Sequence, residues 1–230
     1  MQFRQLFDVE TSTYTYLVWD QKTGEAALID SVDTRVERDL QLVEELELTL
    51  KYTLETHIHA DHITASGIIR EKLGSKAVVH RNSKSECADI LVSEGDTIKL
   101  GNQEIRILET PGHTDTCVSY LIDGAVFTGD ALLIRGCGRT DFQSGDAAIL
   151  YDAIHSKLFK LPDDTLVYPA HDYGGFACST IGEEKAHNPR LGNNRPKQQF
   201  VDLMNSLDLD PPKKIAEAVP GNLECGLKQG

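Results

Sequence analysis

"LETHIHADHITASG", residues 54–67, packs three histidines and an aspartate into six positions: His57, His59, Asp61 and His62. The stretch before it, "TLKYTLET" (49–56), is rich in β-forming residues and reads as a strand. The stretch after it, "ITASGIIREKLG" (63–74), reads as a short helix stopped by Gly74. The donors therefore sit at the carboxyl end of a strand, where α/β folds place their sites. Neutral imidazoles and a carboxylate are the usual donors for a borderline divalent metal.

Outward from this loop, both flanks keep one style. "TYTYLVWD" (13–20), the turn "QKTG" and "EAALID" (25–30) predict a hairpin, and Met1 to Phe7 adds an edge strand. "TRVERDLQLVEELEL" (34–48) places Val36, Leu40, Val43 and Leu46 at helical spacing, with Asp33 or Thr34 as N-cap. "KAVVH" (76–80) is a short strand. In the second half, "DTIKLGNQEIRILET" (96–110) and "CVSYLIDGAVFTGD" (117–130) are hairpins. "SGDAAILYDAIHSKLFKL" (144–161) is a helix capped by Ser144. "TLVYPAHD" (165–172) is a strand, and a last helix over 196–207 precedes a Pro-rich tail. Strands and helices alternate in two comparable halves. The pattern predicts an α/β fold: two mixed β-sheets face to face, flanked by helices, a four-layer αβ/βα sandwich. No low-complexity linker divides the chain, so residues 1–230 read as a single domain with a C-terminal helix and tail.

The 230 residues are 40% hydrophobic, enough for a core, and carry a formal charge of −13. That charge repels phosphate backbones and argues against a nucleic-acid partner. No window reaches the ~18 apolar residues of a membrane span. "MQFRQLFDVETSTYTYLVW" (1–19) shows neither an export signal nor an Arg-rich transit peptide. The expectation is a cytoplasmic bacterial protein, or an organelle-matrix protein if the chain is a processed form. Five cysteines, an odd number without C-x-x-C, suggest reduced and mostly buried thiols. Cys225 reads as an inert thiol rather than a redox-sensitive one.

Three further strand-end loops add donors: "TPGHT" with His113, "TGDAL" with Asp130 and "PAHD" with His171. A lone histidine at a strand end is more often a core or surface residue than a ligand, and His80, His155 and His187 are read that way. Seven donors at strand ends are another matter. Gly112, Gly129, Ala60 and Ala170 beside them let loop backbones approach closely. The donors outnumber what one metal needs and include no cysteine, which favours a catalytic over a closed structural site. From the residues alone, the set predicts two metals ~3.5–4 Å apart.

"THIHADH…GHT…GD…H" resembles the metallo-β-lactamase superfamily from residue 13 to about 175. The resemblance implies that superfamily's sandwich. His57, His59 and His113 would line one metal position, Asp61, His62 and His171 a second, and Asp130 would bridge them. The missing export signal and the acidic charge point away from a secreted β-lactamase, and the charge also points away from an RNA-processing member. "LLIRGCGRTDFQSGDAAILYDAIHSKLFKLPDDTLVYPAHDYGGF" (132–176), "STIGEEKAHNPRL" (179–191) and "AVPGNLECG" (218–226) resemble the persulfide dioxygenases, also called sulfur dioxygenases, over nearly the whole chain. This resemblance implies one Fe(II) per chain, held by His57, His113 and Asp130, with His59, Asp61, His62 and His171 in support. It implies glutathione persulfide and O₂ as substrates, sulfite and glutathione as products, and Arg139 and Tyr173 as glutathione-binding residues. From the residues alone, Arg139 divides between that role and a pair with Asp141. The alternative is a glyoxalase II-type hydrolase of glutathione thioesters with two metals, although such enzymes add a longer helical C-terminal domain. An iron-based sensor is a weaker third reading. A homodimer is left open.

Overall fold

The computed structural model describes residues 1–212 and 214–227. Its strands are β1 (Gln2–Asp8), β2 (Thr13–Trp19), β3 (Glu25–Ile29), β4 (Thr49–Leu54), β5 (Lys76–His80), β6 (Ile90–Val92), β7 (Thr97–Leu100), β8 (Gln103–Glu109), β9 (Val118–Ile122), β10 (Ala125–Gly129), β11 (Leu166–Pro169) and β12 (Ser179–Thr180). Its helices are α1 (Val36–Glu45), α2 (Ser66–Leu73), α3 (Ala147–Ser156), α4 (Ile181–His187), α5 (Lys197–Asn205) and α6 (Ile215–Leu223).

The strands form two six-stranded sheets, ordered β1-β2-β3-β4-β5-β6 and β12-β11-β10-β9-β8-β7. Each mixes parallel and antiparallel pairs: β2–β3 is antiparallel while β3–β4 is parallel, and β9–β10 is antiparallel while β10–β11 is parallel. Period-two alternation explains how β2 is buried on both faces. Tyr16 and Val18 point into the core between the sheets, with Ile105, Ile107, Tyr120 and Phe127 opposite. Leu17 and Trp19 point the other way, under α1 and α2, with Val36, Val43 and Ile69. A third cluster packs α3 and α5 on the second sheet through Leu150, Ile154, Phe200 and Met204. The order is helix, sheet, sheet, helix, the expected four-layer sandwich. Truncating a core residue such as Ile107 would cost ~2–5 kcal/mol, against about 0–1 kcal/mol for a surface ion pair. The sandwich is therefore held by its layers, not by its surface charges.

The structure corrects several local expectations. α3 is capped by Asp146, whose side chain accepts from Ile149 N–H, rather than by Ser144. Asp33 opens a 3-10 turn, and α1 begins at Val36 with Arg35 at its N-cap position making no side-chain capping bond. The tail holds a helix of its own, α6, despite Pro220 within it. The five-thiol expectation fails, because Cys87 and Cys225 form a disulfide across 138 positions. α6 brings Cys225 back against the segment after β5, a contact no local pattern reveals. Cys117 and Cys137 are buried thiols and Cys178 is exposed. β1 is the expected edge strand. Outside the site, His80 pairs with Glu109 at 2.8 Å and His155 stacks on Tyr151 at 4.0 Å.

Candidate metal centre

The site forms where β3, β4, β8, β10 and β11 end. Parallel pairing sets Ile29 beside Leu54, so the residues after β3 and β4 emerge together. Asp30, buried just past β3, accepts from Thr56 N–H at 2.7 Å and from Thr56 Oγ1–H at 2.8 Å. These bonds fix the turn that carries His57. β10 ends in Gly129 at φ +53°, where a Cβ would lie 2.5 Å from Thr56 Oγ1. Only glycine lets the turn bearing Asp130 come this close to the turn bearing His57. Gly112, at φ +128°, has the backbone of Leu150 where its Cβ would be, at 2.3 Å. That seats the His113 loop against α3. His171 follows β11 and bridges to Thr13.

His57, His113 and Asp130 offer donor atoms that all lie within 4.8 Å of one another. His113 Nε2 is 3.5 Å from Asp130 Oδ2. His113 Nδ1–H donates to the Arg139 carbonyl at 2.7 Å, which leaves Nε2 as the free donor. His57 Nδ1 meets Thr56 Oγ1 at 3.0 Å. Asp130 Oδ1 is buried with no hydrogen-bond partner among the described residues, a rare state for a buried carboxylate oxygen. Burial, helped by the neighbouring His59 and His113, holds the His57 imidazole well below its ordinary pKa. It is therefore neutral, as a ligand must be.

The other four donors are arranged differently. His59, Asp61 and His62 form a second group, and Asp30, Glu55 and His59 a third. The superfamily resemblance set His59 with His57 and His113. Here its Nε2 turns to Asp30 Oδ1 at 3.1 Å and Glu55 Oε2 at 3.5 Å. Burial opposes charge on His59, but Asp30 and Glu55 outweigh it and hold the imidazole well above its usual pKa. His62 Nδ1 lies 2.9 Å from Asp61 Oδ2. His171 Nδ1–H donates to the Ser12 carbonyl at 3.0 Å, and its Nε2 sits 3.5 Å from Asp61 and 3.8 Å from Asp130. Burial would raise the Asp61 carboxyl, but His62 and His171 draw it well below the usual range.

A cavity of about 670 Å³ opens onto His57, Asp61, His113, Asp130 and His171. His59 and His62 are fully buried and do not line it. Tyr173 stands on its rim, 77% exposed, with its ring parallel to His171 at 6.0 Å. Arg139 also lines it, but its guanidinium is engaged by Asp141 at 2.7 and 2.8 Å and by the carbonyls of Asp210 and Leu209. Arg135 is spent on Glu183 and Glu184. Arg190 is the residue that reading from sequence missed. It lines the cavity, donates Nη1 to the Cys137 carbonyl at 2.9 Å, and makes no ion pair among the described residues. Its position in "NPRL", far from any histidine motif, gave no signal. Asp30 and Glu55 were missed too, as acids at the ends of apolar strands.

Residues 9–171 match the family model of the metallo-beta-lactamase superfamily. The mitochondrial persulfide dioxygenase ETHE1 of Homo sapiens is 47% identical over 228 residues, 98% of this chain and 89% of that protein. The crystal structure of ETHE1 from Myxococcus xanthus superposes with a TM-score of 0.96 at 52% identity, covering 99% of this chain and 100% of that one. TTHA1623, solved in a di-iron-bound form, is similar with a TM-score of 0.68 at 25% identity, over 81% of this chain and 98% of that one. Among the described residues no helix is long and apolar enough to cross a membrane.

Proposed function

This chain belongs to the metallo-beta-lactamase superfamily and within it to the persulfide dioxygenase family, and we propose that it oxidises glutathione persulfide with O₂ at one Fe(II), giving sulfite and glutathione. The carrying observation is the convergence of His57, His113 and Asp130 on a cavity floor, with Asp130 Oδ1 buried and unpartnered. Two imidazoles and one carboxylate fit ferrous iron and leave positions open. When bound, the iron supplies the redox chemistry by which O₂ oxidises a sulfur, which side chains alone do not provide. Both oxygen atoms go to the terminal sulfur, and water then releases sulfite from glutathione.

The chain's own groups prepare that event. Thr56 and the Arg139 carbonyl fix the two ring orientations. Asp61, His62 and His171, with His59 behind them, form a charge network beside the ligands, and His171 Nε2 is placed to hold a proton between Asp61 and Asp130. Glutathione brings two carboxylates and one ammonium. Among the described residues Arg190 is the cavity cation without an ion pair and can meet a carboxylate, Arg139 can meet one by giving up Asp141, and the Tyr173 hydroxyl can join from the rim.

A second reading, a two-metal hydrolase of glutathione thioesters, draws on Asp61 and His171 reaching the same cavity. Iron-loaded protein given glutathione persulfide separates the two. O₂ uptake with sulfite formed in step, about one iron per chain, and negligible hydrolysis of S-D-lactoylglutathione are expected. Rapid thioester hydrolysis without O₂ uptake, on two metals per chain, would overturn the dioxygenase reading. The same chemistry would place the enzyme in persulfide and sulfide detoxification, in a bacterial cytoplasm or an organelle matrix, with no nucleic-acid partner.

A further inference from the structure

The histidine loop is fastened from behind by a residue 160 positions away from His62. Asn222, on α6, is 4% exposed and spends its entire amide on that loop. Its Nδ2 donates to the carbonyls of His59 and His62, each at 2.9 Å, and its Oδ1 accepts from Thr64 N–H at 2.8 Å. In a dry interior those backbone groups have no solvent to turn to, so losing the amide leaves them orphaned. The helix end is itself docked onto the loop's far side. Gly67 N–H donates to the Cys225 carbonyl at 2.8 Å, and Gly226, at φ +74°, lies where a Cβ would fall 1.9 Å from Thr64 O. Ser85 Oγ–H reaches the Leu223 carbonyl at 2.8 Å, and the Cys87–Cys225 disulfide closes the same junction covalently.

We propose that Asn222 is a positioning residue for the loop 57–64, and that the Cys87–Cys225 disulfide pins its helix, so that the positioning loosens when thiols reduce the bond. Cys87 is half-buried and Cys225 is 2% exposed, so a small thiol meets the Cys87 sulfur first. Its thiolate attacks Cys87 Sγ, the S–S bond breaks, and Cys225 leaves as a thiolate that takes a proton. A second thiol attacks the sulfur of the mixed disulfide, freeing Cys87 and leaving the small-molecule disulfide. Glutathione, the product of the proposed reaction, is such a thiol.

The proposal rests on the loop's metal role, yet its first readout needs no metal. In metal-free protein, amide hydrogen exchange over residues 59–65 should quicken about ten-fold in Asn222→Leu, which keeps the volume and removes three bonds. Ala218→Gly, which weakens the same helix without removing a bond to the loop, should change that exchange less than about three-fold at an equal fall in melting temperature. Iron release to a chelator should quicken in the same order, and Asn222→Leu should lower kcat with KM for the persulfide unchanged. Reduced wild type and Cys87→Ser should both release iron about three-fold faster than oxidised wild type, and Cys87→Ser should ignore reductant. Equal exchange in Asn222→Leu and Ala218→Gly would overturn the positioning role. Oxidised and reduced wild type with identical exchange, or five rather than three alkylatable thiols in the oxidised protein after denaturation, would overturn the redox anchor. The Cys87→Ser arm stands if Asn222→Leu fails to fold. A loaded enzyme that hydrolyses thioesters would sink the dioxygenase reading and leave these exchange results intact.

Discussion

Two aspartates at opposite ends of the sandwich show how one side chain is put to two uses. Asp20, beyond β2, accepts from Asn102 N–H at 2.9 Å, Asn102 Nδ2 at 2.8 Å and Thr23 Oγ1–H at 3.0 Å. It ties the β2–β3 turn of one sheet to the β7–β8 turn of the other, and the Asn102 amide leads in lowering its pKa to about 2. Asp130, beyond β10, has an oxygen with no partner and two imidazoles at 3.5 and 3.8 Å. The saturated carboxylate joins two turns. The starved one belongs to the proposed metal site, and departures from local satisfaction are where function is expected.

The largest test of this contrast is Asp130→Asn. It removes a charge and a strong oxygen donor from the three-residue set. Iron retention and persulfide-dependent O₂ uptake should fall by about a hundred-fold or more. The metal-free protein should melt no lower than wild type, because the unpartnered Asp130 oxygen contributes no hydrogen bond to the fold. Calorimetry of the apo forms checks this, and a marked fall in melting temperature would make Asp130 a structural residue like Asp20.

Next come the two histidines that share a motif and not an environment. His57→Ala should abolish activity. His59→Ala should cost about ten- to a hundred-fold, the usual toll of a residue that orients ligands, since His59 faces Asp30 and Glu55 and not the cavity. Equal losses of metal in both variants would put His59 among the ligands and revive the two-metal reading.

The arginines sharpen the comparison further. Arg190 makes no ion pair among the described residues, so Arg190→Ala should raise KM for glutathione persulfide about ten- to a hundred-fold while iron stays bound. Arg139→Ala should do less, because its guanidinium is already held by Asp141. A larger effect at Arg139 would mean that substrate displaces Asp141.

Much of this was legible from local pattern. The hairpin of β2 and β3, the strand delivering His57 and the glycines beside the donors all announce themselves within a dozen residues. What was hidden is long-range. Asn222 and Cys225 sit in a segment whose Pro220 and Gly221 disguise a helix. Asp30 and Glu55 become partners of His59 only once β3 and β4 pair. Arg190 gains its meaning from a cavity wall. The residues alone show which donors are present, but not which way each imidazole turns, and that is set by partners such as Asp30 for His59, the Arg139 carbonyl for His113 and the Ser12 carbonyl for His171.

The smallest expected effect lies at Asp20. Its folded pKa of about 2 is below the ~3.9 of an unfolded aspartate. Its contribution to stability is therefore fully present above the unfolded value and is lost as pH falls through about 2. Asp20→Asn keeps one acceptor oxygen and removes the charge, so O₂ uptake at neutral pH should be unchanged. Its melting temperature should lie modestly below wild type at pH 6, and the gap should close as both are titrated from pH 4 to pH 2. Comparing the two proteins cancels the many other carboxylates that titrate over that range. A gap that stays constant down to pH 2 would show that the Asn102 junction depends on shape and not on charge, and the two ends of the sandwich would then differ less than their bonds suggest.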